Sequence, residues 1–164
     1  MLRKPITPEQ ALSRLAALCA KGEHCTGELR DKLRLWDIAP ADADSIINHL
    51  VDQHFVDDSR FTRAFASDKI RYDHWGRRKI EQALFMKHVP SSVSAPILDA
   101  IPDEEYLAVL RPLLHAKWPT IHAATDYERS MKLIKFAIGR GFSLDLIRQC
   151  IDDVSNMEDI DDEG

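Results

Sequence analysis

The feature of this sequence that most limits its fold is a pattern of apolar residues that repeats along the chain. Five apolar positions recur 51 residues later, and they return a third time with small changes in gap length. The matched sets are Leu29, Leu33, Ile38, Ile46 and Leu50, then Ile80, Leu84, Val89, Ile97 and Ile101, then Leu133, Ala137, Phe142, Ile147 and Ile151. Such self-similarity indicates tandem structural units that bury their apolar faces against one another.

Within each unit the apolar residues recur at helical spacing, and no segment alternates as a half-buried strand does. The sequence therefore predicts an all-α fold of three tandem three-helix repeats that form an elongated, curved array. The predicted repeats cover residues 1–56, 57–102 and 103–154, and an acidic disordered tail covers 155–164. The predicted helices cover about 8–21, 26–36, 40–53, 57–72, 76–88, 91–100, a stretch from 102 to the loop at 118–119, 126–140 and 143–154.

Short signals mark individual helix ends. Thr7-Pro8-Glu9-Gln10 is a capping box with proline at the first helical position. Gly141 is expected to end the eighth helix, and Pro112 predicts a kink in the seventh.

The composition is that of an ordinary globular chain. With 164 residues, 45% of them hydrophobic, the chain can bury a core without a disulfide or metal. The cysteines Cys19, Cys25 and Cys150 are scattered and form no C-x-x-C pair, which fits a reducing compartment. We find no signal peptide and no apolar run of membrane-spanning length, so we expect a cytoplasmic protein. Because no large uncovered apolar stripe stands out, we also expect a monomer.

The net charge of −5 conceals a strong segregation of charge along the chain. Residues 59–102 contain eight basic and four acidic residues, a net +4, whereas residues 152–164 contain seven acidic residues and no basic one. The second repeat is therefore expected to be basic. The acidic tail is expected to be disordered beyond about Val154, either as a solubilising segment or as a phosphate mimic that competes for the basic face.

Four stretches resemble motifs of the RecX family, the regulators of the bacterial recombinase RecA. They are residues 15–18 with 28–33, residues 55–65, residues 75–80 with Leu84 and Lys87, and residues 132–136 with 140–143. The second is similar to an aromatic-x-[ND]-D-x-x-[FY]-A stretch, and the third to G-x-x-[RK]-I-x-x-x-L-x-x-[KR]. The resemblance spans about residues 10 to 151 and all three repeats. One departure is Cys25, which stands where the family commonly has serine and predicts a weak helix cap unless Thr26 replaces it.

The resemblance implies a non-enzymatic protein, without cofactor, that binds the RecA nucleoprotein filament on single-stranded DNA. It also implies inhibition of RecA ATPase and strand exchange, which tempers recombination and the SOS response; contact with single-stranded or double-stranded DNA would fit the same role. The residues predicted to form the binding surface are basic: Arg71, Arg77, Arg78 and Lys79 as the densest cluster, then Lys87, Lys132, Lys135 and Arg140, and then Arg30 and Lys32. Three of them fall in the first turn of the fifth helix, where they oppose the helix dipole.

Several alternatives remain open at the level of sequence. The chain is also typical of a helix-turn-helix-like nucleic-acid-binding module that acts without RecA, or of a helical scaffold for another protein. Trp75 is expected either to fill the core or to stack on a base. Gly76 is expected to permit a tight turn. We interpret Asp57 and Asp58 as helix caps rather than catalytic carboxylates, and the seven histidines show no metal-binding spacing.

Overall fold

The computed structural model describes residues 5–161, except for the side chains of residue 153 and of residues 155–161. Within that part the chain forms nine α-helices, one 3₁₀ turn and no strand, so the prediction of an all-α fold is confirmed. The helices are α1 (Pro8–Lys21), α2 (Thr26–Leu35), α3 (Pro40–Asp52), α4 (Asp58–Arg71), α5 (Arg77–Met86), α6 (Ser91–Asp99), α7 (Asp103–Lys117), α8 (Asp126–Gly139) and α9 (Leu144–Asp161). No helix in this part is long and apolar enough to cross a membrane.

The helices differ from the predicted ones mainly at their C-termini. α2, α5 and α8 each end one or two residues early, because the last predicted residues belong to the turn that follows. α7 continues through Pro112, where the sequence predicts a kink, and the 3₁₀ turn Trp118–Thr120 replaces a predicted loop. The backbone of α9 continues to Asp161, whereas the sequence predicts disorder beyond Val154. Residues 162–164 of the predicted tail lie outside the described residues.

The chain divides into two compact units, Met1–Phe65 with Leu84–Ile97 and Ala66–Ala83 with Leu98–Gly164. The boundaries cut α4, α5 and α6, so each unit contains part of the second predicted repeat. The core of the first unit includes a cluster of buried apolar residues: Ala11, Leu15, Leu29, Leu33, Ile38, Ile46, Ile47, Leu50 and Val56. Several of these residues have counterparts in the repeated apolar pattern that lie in the second unit. Those counterparts are buried too: Ile80, Leu133, Ala137, Phe142 and Ile147.

The middle helices of the three predicted repeats, α2, α5 and α8, end in the same turn. Each is followed by a residue with positive φ: Asp37 (56°), His88 (61°) and Gly141 (93°). The residue after it donates its backbone N–H to a carbonyl five residues earlier, at 3.0, 3.1 and 3.2 Å. The positive-φ residue itself bonds to the carbonyl three residues earlier. This is the Schellman motif, and it explains why Trp36-Asp37-Ile38, Lys87-His88-Val89 and Arg140-Gly141-Phe142 match in sequence.

In the second unit, the turn after α8 packs against the start of α5 through backbone atoms. Gly76 donates its N–H to the carbonyl of Arg140 at 2.8 Å, and Arg78 donates its N–H to the carbonyl of Gly141 at 3.1 Å. A Cβ on Gly76 would overlap the backbone of Gly141 and Phe142. The requirement for glycine at this position therefore comes from a close approach of two chain segments, whereas the sequence predicts a tight turn between α4 and α5.

The first unit contains the equivalent contact between the turn after α5 and the start of α2. A Cβ on Gly27 would have no room, because it would overlap the carbonyl of Lys87. The thiol of Cys25 donates to that same carbonyl at 3.6 Å. In both units, the turn after one middle helix thus packs on the N-terminus of the middle helix of the preceding repeat.

Two adjacent carboxylates cap two different helices. Asp57 accepts two backbone N–H groups of the first turn of α4, at 2.9 and 3.1 Å. Asp58 accepts the backbone N–H and the hydroxyl of Thr26, at 2.7 and 2.8 Å, and Thr26 is the first residue of α2. The side chain of Cys25 makes no capping bond, so α2 takes its cap from α4. The interpretation of Asp57 as a cap of α4 is confirmed, whereas Asp58, expected to cap the same helix, caps α2 instead.

Glu28, in the first turn of α2, adds side-chain contacts to this junction. Its carboxylate accepts from the thiol of Cys25 at 3.4 Å, and lies 3.3 Å from the imidazole of His24 and 3.6 Å from the ammonium of Lys87. Burial alone would raise the pKa of Glu28, but the hydrogen bonds with His24 and Cys25 and the charge of Lys87 lower it. Burial raises the pKa of the Cys25 thiol to about 12, so the thiol stays protonated and acts as a donor.

We expect Gly76→Ala to lower the free energy of unfolding by about 2 kcal/mol, because the methyl group must displace the backbone of the turn after α8. Gly139→Ala is the matched control, since a Cβ at that helical position meets no atom within 4 Å and alanine is the better helix former. Urea unfolding followed by circular dichroism measures both variants. Equal unfolding midpoints for the two would contradict the close approach at Gly76.

The lowered pKa of Glu28 predicts an acid-sensitive contribution to stability. A carboxyl group whose pKa is lower in the folded state stabilises the fold above its unfolded pKa, near 4.5, and this stabilisation is lost as the pH falls through the folded value. The unfolding free energy of Glu28→Gln should therefore fall less steeply below pH 4.5 than that of the wild type. Glu9→Gln, which removes an exposed carboxylate from the first turn of α1, controls for the loss of one charge. Identical slopes for Glu28→Gln and the wild type would show that the contact contributes nothing.

Candidate functional site

The ten basic residues predicted as a binding surface are divided between the two compact units. The first unit contains Arg30, Lys32 and Lys87. The second contains the other seven: Arg71, Arg77, Arg78, Lys79, Lys132, Lys135 and Arg140. The second unit therefore holds most of the predicted surface, including its densest cluster.

Arg77, Arg78 and Lys79 form the first turn of α5, as the sequence predicts, and that turn contains no acidic residue. A helix N-terminus ordinarily favours negative charge, because its first N–H groups lack partners within the helix. At α5 the carbonyls of Arg140 and Gly141 accept two N–H groups of this region. Since a carbonyl oxygen carries partial negative charge, backbone atoms of the following repeat replace the usual acidic cap.

Arg77 and Arg78 have different surroundings although they are adjacent. The guanidinium of Arg77 pairs with Glu81 and, at 2.6 Å, with Asp99 at the end of α6. Burial alone would lower the pKa of Arg77, but its hydrogen bonds with these two carboxylates raise it. Arg77 thus joins α5 to α6 with its charge balanced, whereas the side chain of Arg78 is exposed.

Trp75 lies between α4 and α5 and is in contact with two lysines. The ammonium of Lys69 lies 4.8 Å from the centroid of the indole ring, and that of Lys79 lies 4.7 Å from it. Each distance is within the range of a cation–π interaction, which is worth about 0.5–1 kcal/mol at an exposed site. The ring is partly buried, so Trp75 is not a fully enclosed core residue. It fixes the positions of two cations.

Asp73 brings a third cation to the same place. Its carboxylate accepts from Lys69 at 2.9 Å, and its backbone carbonyl accepts from the guanidinium of Arg140 at 3.1 Å. Arg140 belongs to the turn that caps α5. We call these residues, together with the exposed Arg78 that adjoins Lys79 in sequence, the Trp75 cluster: Lys69, Trp75, Arg78, Lys79 and Arg140.

The remaining predicted residues of the second unit are not joined to the Trp75 cluster by any contact described for them. Arg71 and Lys135 are exposed, at the end of α4 and within α8. Lys132 donates to the backbone carbonyl of His122 at 2.8 Å, which ties α8 to the loop before it. All three side chains are exposed, and the side chain of Lys132 is held by this bond.

In the first unit, two of the three predicted residues form ion pairs. Arg30 donates to the carboxylate of Asp44 at 2.7 Å, and Lys87 lies 3.6 Å from Glu28 in the junction described above. Lys32 is partly buried on α2. The structure therefore gives Arg30 and Lys87 structural contacts within this unit.

Lys69 belongs to the Trp75 cluster although the sequence interpretation did not single it out. A signal was available, since Lys69 and Asp73 stand four residues apart and form the i, i+4 pair typical of a helix surface. The contact of Lys69 with the indole ring depends on the path of the chain after α4. There the backbone N–H of Trp75 donates to the backbone carbonyl of Lys69 at 3.0 Å.

The chemistry that these residues offer is electrostatic binding. Among the residues that the structure describes, no group of three His, Cys, Asp or Glu side chains could hold a metal ion. The carboxylates of Asp57 and Asp58 are engaged as caps. Guanidinium and ammonium groups held close together are suited to phosphates and carboxylates.

Sequence comparison matches parts of the second and third predicted repeats to family domain profiles, and about four-fifths of the chain to related proteins. Residues 57–95 match the profile of the second three-helix domain of RecX, and residues 103–151 match that of the third. The regulatory protein RecX of Acinetobacter baylyi is 30% identical over 135 residues, which cover 82% of each chain. The protein of the same name from a strain of Thermus thermophilus is also 30% identical over 135 residues, covering 82% of this chain and 85% of that one.

A solved structure supports the fold. The crystal structure of RecX from Lactobacillus salivarius superposes with a TM-score of 0.82 and covers 90% of this chain and 96% of the other, at 18% sequence identity. At that identity the similarity concerns the helical fold alone. Because two domain profiles and relatives matched over four-fifths of their length agree, this chain belongs to the RecX family of regulatory proteins.

Proposed function

We propose that this protein binds the RecA filament on single-stranded DNA and inhibits its ATPase and strand exchange, tempering recombination and the SOS response. Membership of the RecX family supports a regulatory role, and the link to RecA comes from the family resemblance. The observation that supports particular residues for this role is the Trp75 cluster. It has four cations, Lys69, Arg78, Lys79 and Arg140, near the capped N-terminus of α5. No catalysed step is needed for this role.

Phosphates of the filament's DNA, or carboxylates of its protein, are the groups that the Trp75 cluster is suited to bind. Arg78 has the exposed guanidinium and is able to engage a phosphate with two parallel hydrogen bonds. Lys69 and Lys79 are held near Trp75, so less side-chain entropy is lost when they meet an anion. Binding through such groups weakens as salt increases, because counterions must be displaced.

The helix-turn-helix alternative is disfavoured by the same geometry. A recognition helix reads base edges with the residues near its N-terminus, which must enter the major groove. The N-terminus of α5 is occupied by the turn 140–142, which accepts the N–H groups of Gly76 and Arg78. The Trp75 cluster is therefore better suited to contact along a surface than to insertion of α5 into a groove.

We expect Arg78→Glu/Lys79→Glu to weaken inhibition of the single-stranded DNA-dependent ATPase of RecA by about tenfold or more. Two cations that meet anions are replaced by anions, and each lost contact is worth on the order of 1 kcal/mol. The measurement is a titration of each protein into the ATPase reaction at two salt concentrations, with circular dichroism to verify folding.

Lys21→Glu/Arg63→Glu is the matched control, because it makes the same change in net charge at two exposed residues outside the Trp75 cluster. It should inhibit as the wild type does. Wild-type protein that leaves the ATPase unchanged at every ratio would overturn the proposed function. Equal loss of inhibition in both double variants would show that net charge matters and the Trp75 cluster does not.

A further inference from the structure

Tyr72 is an exposed aromatic residue next to the Trp75 cluster. It directly follows the last residue of α4 and is 70% exposed. Its backbone N–H donates to the carbonyl of Asp68 at 2.9 Å, so Tyr72 continues the course of α4 for one more residue. Lys69, a member of the Trp75 cluster, stands three residues earlier. Because residues three apart on a helix are neighbours on its surface, Tyr72 lies next to Lys69.

The chain beyond Tyr72 is held by the Trp75 cluster itself. Asp73 accepts from Lys69 at 2.9 Å through its carboxylate, and from Arg140 at 3.1 Å through its backbone carbonyl. The backbone N–H of Trp75 donates to the carbonyl of Lys69 at 3.0 Å. The backbone that carries Tyr72 is therefore fixed before and after it, and binding a ligand there costs little further backbone entropy. Tyr72 and the whole Trp75 cluster belong to the second compact unit.

The ring of Trp75 is less available to a ligand than the ring of Tyr72. The ammonium groups of Lys69 and Lys79 already lie 4.8 and 4.7 Å from the centroid of the indole, and Trp75 is partly buried. A base that stacks on a side chain needs an open ring face. The stacking role that the sequence allows for Trp75 therefore fits Tyr72 better.

The surroundings of Tyr72 favour nucleic acid over protein as its partner. Arg71 and Asp73, on either side of it, are both exposed and charged, whereas the centre of a protein interface is poor in charged residues. A nucleotide joins an anionic phosphate to a flat base, and cations beside an exposed aromatic ring are suited to that pair of groups. Stacking on a side chain requires a base that is free of a duplex, so the ligand is single-stranded.

A second exposed tyrosine in the same unit has the opposite electrostatic surroundings. Tyr127 lies in the first turn of α8 and is 74% exposed, but its neighbours Asp126 and Glu128 are acidic. Like charges repel, so these carboxylates disfavour the approach of a phosphate. Exposure alone therefore does not make a tyrosine a nucleotide site, and Tyr127 is a matched control for Tyr72.

We propose that Tyr72 is a base-stacking residue: the Trp75 cluster binds a phosphate of single-stranded DNA, and a neighbouring base stacks on the ring of Tyr72. The inference rests on the proposed function for its setting in the filament. It deepens that function, because it assigns the Trp75 cluster to the DNA of the filament and not to carboxylates of its protein.

The test compares two labelled oligonucleotides of equal length, one of thymidines and one with an abasic sugar at every position. Both have the same phosphates, and only the first has bases. Fluorescence anisotropy at low salt should show that the wild type binds the abasic strand at least about fivefold more weakly, because stacking is lost. Tyr72→Ala should bind the thymidine strand about fivefold more weakly than the wild type does, and the abasic strand within about twofold of it.

Three further measurements define the role of the ring. Tyr72→Phe keeps the ring and should retain the wild-type affinity for both strands. Tyr127→Ala should also bind both strands as the wild type does. The salt dependence of thymidine-strand binding should be the same for Tyr72→Ala and the wild type, because no ion pair is removed. Circular dichroism verifies that each variant is folded.

The outcomes separate this inference from the proposed function. Equal wild-type binding of the two strands, or an undiminished affinity of Tyr72→Ala for the thymidine strand, overturns the inference. So does wild-type protein that binds neither strand but inhibits the RecA ATPase, and the proposed function then stands. Protein that binds the strands as expected but leaves the ATPase unchanged overturns the proposed function alone. Tyr72→Ala that binds both strands normally but inhibits the ATPase less would assign Tyr72 to a protein contact and overturn the inference.

Discussion

Close packing of a turn against the start of a distant helix is the contact that both compact units share. The turn after α8 gives its carbonyls to the N-terminus of α5, and the turn after α5 lies against the N-terminus of α2. One Schellman turn thus ends its own helix and packs on another helix. Because Gly76 and Gly27 have no side chain, the two backbones can approach closely enough for this. A polar backbone group that lost such a partner on burial would cost about 1–3 kcal/mol.

This packing also explains where positive charge can be placed. α8 begins with its own cap, Thr125, and has Asp126 and Glu128 in its first turn, as a helix N-terminus favours. α5 takes carbonyls from the following repeat and has three cations in its first turn. The packing of the turn after α8 on α5 therefore allows three cations in the first turn of α5. The same turn contains Arg140. Its backbone carbonyl accepts the N–H of Gly76, and its guanidinium belongs to the Trp75 cluster.

Local patterns in the sequence were sufficient to predict most of the helices. The capping box at Thr7 forms both of its bonds, at 3.0 and 3.1 Å, and the repeated apolar residues of the middle helices are buried. Contacts between residues far apart in sequence were not predictable in this way. Nothing local indicates that Asp58 caps α2 or that Asp99 neutralises Arg77, because each pair depends on how two helices pack. For that reason the sequence grouped Arg77 with Arg78 and Lys79, and the structure separates it from them.

Amide hydrogen exchange at the start of α5 is the most direct test of this account. The amides of Gly76 and Arg78 lie where a helix ordinarily leaves its N–H groups without partners. If the turn after α8 accepts them, both should exchange slowly, with protection similar to that of Leu84 in the interior of α5. Exchange of both amides at the rate of an unstructured peptide, in protein that is otherwise folded, would contradict the account.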